Sequence, residues 1–84
     1  MTTYLTKYYV NNNRTRNPWL NHEVHTQQHA GELGITDKTC LGVFTNEIRA
    51  VDAAKMIFDD ANGCAVCCPL AHNTSSSRIS LMHH

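Results

Sequence analysis

The chain has 84 residues, with seven Lys+Arg balanced by seven Asp+Glu, so its formal net charge is zero. That size bounds it to one small domain. No run of about 18 apolar residues is present to span a bilayer, the Tyr- and Thr-rich first ten residues carry no secretory signal, and a neutral chain has no global attraction for nucleic acid. Against this plain background stand six His and four Cys.

In chain order, residues 3–10 are β-branched and aromatic and predict a first strand, with Tyr4, Thr6, Tyr8 and Val10 on one face. The run Asn11 to Pro18, with three Asn, two Arg and a Pro, reads as a loop. Trp19 to His25 reads as a second strand, with Leu20, His22 and Val24 on one side and Trp19, Asn21, Glu23 and His25 on the other. Thr26 to Leu33 can form two helical turns, stopped by Gly34. Cys40 to Phe44 is a short apolar run and a third strand.

Thr45 to Asp60 carries the clearest pattern, an amphipathic helix with Ile48, Val51, Ala54 and Phe58 in a stripe flanked by Ala50 and Ile57. Thr45 or Asn46 can cap it, and Asn62-Gly63 supplies a left-handed stop. Asp59 and Asp60 break the pattern, because negative charge at a helix C-terminus opposes the macrodipole. The expected fold class is therefore α+β, a small three-stranded antiparallel sheet packed on one main helix. Residues 1–72 form the single domain, and residues 73–84, with three consecutive serines, form a disordered polar tail.

Without the loop and the tail, the packed unit is only about 60 residues, a size at which a disulfide, a metal or a partner chain commonly completes the core. A cytoplasmic setting is expected, where Cys and His spacing points to metal rather than to disulfides. Cys64 and Cys67 form C-x2-C in a turn, a spacing that lets two thiolates share one tetrahedral ion. His25 and His29 form H-x3-H and lie within one turn of each other. Together they make a His2Cys2 set suited to zinc, neutral when two thiolates balance the dication. His72 and Cys68 are alternative ligands, whereas Cys40 and Cys68 more often serve as buried fillers. His22 faces away from His25 and does not share its ion.

The bland alternative is a metal-free small domain in which six His produce H-x3-H by chance. C-x2-C here follows a helix and runs into Pro69, unlike a thioredoxin motif. His22-Glu23-Val24-His25 is one residue too short for H-E-x-x-H. His83 and His84 are set aside from any site. Lys7, Arg14, Arg16 and Trp19 are the candidate partner-binding residues: residues 1–22 hold three bases and no acid, while residues 23–60 hold seven acids and three bases.

The runs His22-Glu23-Val24-His25, Leu41-Gly42-Val43-Phe44 and Asn62-Gly63-Cys64-Ala65-Val66-Cys67-Cys68-Pro69 resemble a family of small uncharacterised bacterial proteins. Tyr9-Val10-Asn11 and Ala53-Ala54-Lys55 fit the same frame, so the likeness covers residues 8–72. Two positions depart from it: His29 stands where that family has Cys, and Ala71 where it has Cys before His72. The layout is also similar to the zinc-binding domain of the Ada DNA-repair protein, in which an x3-spaced ligand pair follows a hairpin and a strand and helix lead to C-x2-C. That resemblance implies His25 and His29 as the first ligand pair and Cys64 and Cys67 as the second. It does not extend to methyl transfer, since the imidazole of His25 occupies the position of the methyl-accepting cysteine.

These observations lead to the expectation of a non-enzymatic, monomeric structural-zinc interaction module, away from membranes, with a protein or nucleic-acid partner. A labile metal-handling or thiol-based protein is the competing reading. Neither paired carboxylates, a nucleophile–base pair nor a Gly-rich phosphate loop is present to support catalysis.

Overall fold

The computed structural model describes residues 5–14 and 21–72. The elements run β1 (Thr6–Asn11), β2 (Glu23–Thr26), α1 (Gln27–Glu32), β3 (Lys38–Phe44), α2 (Glu47–Lys55), β4 (Asn62–Gly63) and a 3-10 turn, Pro69–Ala71. Tyr4, Arg16, Trp19, Leu20 and the tail 73–84 lie outside the described residues. No helix among the described residues is long and apolar enough to cross a membrane.

The expected α+β class is present, but the sheet has four strands rather than three, in the order β3-β1-β2-β4. β1 pairs antiparallel with both β2 and β3. The added strand is Asn62–Gly63, which lies parallel to β2 with Asn62 opposite Glu23 and Gly63 opposite Val24. This corrects the expectation that Asn62-Gly63 ends the helix in a left-handed turn. The positive-φ glycines are instead Gly34, which follows α1 as expected, and Gly42. Gly42 sits where the β1–β3 register shifts between Tyr8 and Tyr9, so its φ of 110° accommodates a bulge that a β-carbon would strain.

The main helix is shorter than its pattern predicts, ending at Lys55 rather than Asp60. Asn46 caps it, its side chain accepting from Arg49 N at 3.0 Å. Glu47 in the first turn reaches across to accept from the backbone N–H groups of Leu70 and Ala71, tying the 3-10 turn to α2. Past Lys55 the chain leaves the helix, so Asp59 and Asp60 do not stand against its dipole. Asp60 instead accepts from His22 Nδ1 at 2.5 Å and pairs with Arg14 Nε at 3.1 Å. His22 also stacks on Phe58, with ring centroids 3.8 Å apart.

The core contains Tyr8, Val10, Val24, Ala50, Val51, Ala54, Ala61, Cys68 and Ala71, with Leu41, Phe44, Phe58 and Cys67 partly buried against it. Of the expected helix stripe, Val51 and Ala54 are buried and Phe58 half-buried, but Ile48 and Ile57 are exposed. The fully enclosed aliphatic side chains are small, which limits the hydrophobic stabilisation that burial supplies. Cys68 is a core filler as expected, whereas Cys40 is exposed.

Candidate metal centre

The site forms where two pairs of local elements meet. On β2, strand alternation turns Val24 into the core and His25 to the opposite side. The next residue, Thr26, ends β2 and caps α1, its Oγ1 accepting from His29 N at 3.2 Å. That single hydrogen bond places His29 in the first turn of α1, one helical turn beyond His25. The two rings stand edge to face, with centroids 5.4 Å apart.

The cysteines arrive through β4. Cys64 N donates to Val24 O and Asn62 N donates to His22 O, each at 3.0 Å, so the parallel pairing docks Cys64 beside β2. The chain then turns back: Cys68 N donates to Cys64 O at 2.8 Å, which closes the loop carrying Cys67. The result is a group of four, His25, His29, Cys64 and Cys67, whose ligand atoms all lie within 4.8 Å of one another.

Within the group, His29 Nδ1 is 3.7 Å from Cys64 Sγ, and His25 Nδ1 is 3.7 Å from Cys67 Sγ. Zinc bond lengths of about 2.3 Å to sulfur and 2.0–2.1 Å to nitrogen give tetrahedral edges of about 3.3–3.8 Å between ligand atoms. The two N···S separations fall in that range, so these two edges of the donor set match those of a tetrahedral ion. His25 and Cys64 are buried, while His29 and Cys67 are half-buried.

The thiols differ electrostatically. Cys67 is pulled down to about 3, first by the hydrogen bond from Cys68 and then by those from His25, the Thr26 backbone and His29, against the opposing effect of burial. Burial pushes the Cys64 thiol up. Cys68 is pushed up strongly, because its proton is shared with the Cys67 sulfur and its side chain is enclosed. The two ligand thiols are therefore pushed in opposite directions, Cys67 towards the thiolate and Cys64 away from it.

The four residues chosen from spacing are the four the fold brings together. The two alternatives lie outside the group. His72 Nδ1 is 2.9 Å from Gly63 O, and the ring braces β4 rather than facing the sulfurs. Cys68 Sγ is 3.9 Å from Cys67 Sγ, beside the site but facing the core. His22 lies outside the group, as its facing away from His25 implied, and is engaged by Asp60. Of the candidate partner-binding residues, Lys7 is exposed on β1 and Arg14 is paired with Asp60, while Arg16 and Trp19 lie outside the described residues. Sequence reasoning missed Glu23: it is buried, and its Oε1 lies 3.6 Å from His25 Nε2. The signal was present, since Glu23 and His25 sit two apart on one strand and share a face.

No protein-family model, curated protein or solved structure matches the chain.

Proposed function

We propose that this protein is a structural-zinc interaction module. The observation that carries the reading is the convergence of His25, His29, Cys64 and Cys67 within 4.8 Å, drawn from positions up to 42 residues apart in sequence. Four protein ligands fill a tetrahedral shell and leave no position for a water or substrate, so the role is structural rather than catalytic. The core around the site is built from small side chains, and zinc binding contributes folding free energy on the order of 10 kcal/mol in zinc-finger peptides. An ion here would link the β2–α1 junction to the β4 turn, which the described structure otherwise joins through a two-residue strand. The resemblance to the Ada-type zinc domain supports the same ligand order, a hairpin-proximal pair followed by C-x2-C. Of the two partner classes expected, protein or nucleic acid, the reading favours a protein. Val66 and Leu70, on either side of Cys67 and Cys68, expose 75% and 76% of their surface to solvent, and exposed apolar side chains suit protein contact better than phosphate.

Native mass spectrometry of the full chain, purified with zinc present, tests the reading. One zinc per chain is expected, with loss in His25→Ala, His29→Ala, Cys64→Ala and Cys67→Ala and retention in His72→Ala and Cys40→Ser. A wild-type chain that folds and takes up no zinc would overturn it, as would uptake that survives all four ligand substitutions.

A further inference from the structure

Glu23 is a carboxylate with only 7% of its surface exposed, in a domain short of core. Burying a carboxylate is costly unless something offsets its desolvation. Its Oε1 is 3.6 Å from Nε2 of His25, a ring that is itself only 2% exposed. The opposite nitrogen of that ring, Nδ1, is the one 3.7 Å from Cys67 Sγ. His25 thus lies between a carboxylate and the sulfur pair, one ring nitrogen towards each.

We propose that Glu23 is a positioning residue for the metal centre, which accepts the Nε2–H of His25 in the zinc-loaded site, so that Nδ1, the nitrogen that otherwise faces Cys67 Sγ, is the metal-binding atom. The inference rests on the zinc reading above and extends it to a residue outside the four ligands. An imidazole that ligates through one nitrogen carries its proton on the other, and a carboxylate acceptor fixes that tautomer and the ring plane while making the ligand more basic. A cation at Nδ1 withdraws electron density from the ring and polarises the Nε2–H towards Glu23. The 3.6 Å contact is longer than a hydrogen bond, so the proposal requires it to close in the zinc-loaded site. Backbone pairing holds the geometry: Glu23 and His25 share one face of β2, and Glu23 lies opposite Asn62, two residues before Cys64. The strand pairing that delivers the first cysteine therefore also fixes the carboxylate.

The test uses the full chain and zinc itself, with a chromophoric chelator as competitor. Glu23→Ala is expected to weaken zinc binding about 10- to 100-fold, the range seen when such partners are removed. Glu23→Gln keeps the shape and an acceptor oxygen, and is expected to lose less. A structural role alone would not determine the tautomer, so the second readout is long-range proton–nitrogen correlation NMR of the zinc-loaded wild type. His25 is expected to carry its proton on Nε2 and zinc on Nδ1. Zinc on Nε2 of His25 overturns the proposal, as does a Glu23→Ala chain that binds zinc within twofold of wild type. A wild-type chain that takes up no zinc overturns it together with the zinc reading, whereas tight wild-type binding with unchanged Glu23 variants removes only this inference.

Discussion

Gly63→Ala should damage both stability and metal binding, and the size of the effect follows from the packing. A β-carbon at residue 63 would lie 2.8 Å from the Cys68 carbonyl oxygen, 3.0 Å from the Ala71 carbonyl carbon and 3.1 Å from the Ala71 β-carbon. Ordinary contacts of this kind begin near 3.4 Å, so the neighbours must retreat by several tenths of an ångström. None can do so by rotating a side chain, because two are main-chain atoms and the third is the alanine β-carbon. Cys68 and Ala71 are core residues, and the 3-10 turn that follows Cys68 and ends at Ala71 is tied to α2 through Glu47. Overpacking of this type costs about 1–3 kcal/mol. With a urea slope of about 1 kcal/mol/M for a domain of this size, the midpoint falls by about 1–3 M. Zinc affinity should fall as well, because Cys68 N closes the turn onto Cys64 O and any shift of residue 68 moves both sulfurs. Gly31→Ala is the control: nothing lies within 4 Å of its added carbon, and it sits in α1, so it should gain about 0.5–1 kcal/mol. Urea melts of the three chains, with saturating zinc and with chelator, measure this directly. Gly63→Ala within 0.5 kcal/mol of wild type, or equal losses at residues 31 and 63, would refute the packing argument.

Other expectations follow from the same geometry. Thr26→Ala removes the cap of α1 and the hydrogen bond that seats His29, so it should cost about 1 kcal/mol in urea melts and weaken zinc binding in chelator competition. Because the Cys67 thiolate is stabilised and the Cys64 thiol is pushed up by burial, zinc uptake near pH 7 should release about one proton rather than two. Protons then compete with zinc at Cys64, so affinity rises with pH, about tenfold per unit while that thiol stays protonated; calorimetry in buffers of different ionisation enthalpy counts the protons. Zinc loss to a chelator should be slow and track unfolding followed by circular dichroism, whereas fast exchange with the fold intact would favour metal handling.

The ligand set was readable because it depends on short-range spacing. H-x3-H spans the β2–α1 junction and C-x2-C one turn, so each pair converges by local geometry alone. What brings the pairs together was not readable. Asn62-Gly63 has the chemistry of a helix stop, and nothing local distinguishes that from a two-residue strand completed by β2, whose paired residues Glu23 and Val24 lie far back along the chain. The helix length failed for a related reason. Apolar periodicity continues through Ile57 and Phe58, but Asp60 is drawn to His22 and Arg14, and the chain must leave the helix early to return to β2. The acidic pair that contradicted the helix dipole was the local sign of that exit. Glu23 was placed on the correct face but given no role, because its value depends on burial beside His25.

The central claim is that His25, His29, Cys64 and Cys67 close around one zinc ion. X-ray absorption at the zinc edge of the loaded full chain tests it most directly. Two sulfurs at about 2.3 Å and two nitrogens at about 2.0–2.1 Å are expected, at one zinc per chain. A chain that retains no zinc, or a shell of three or more sulfurs or mostly oxygens, would contradict it.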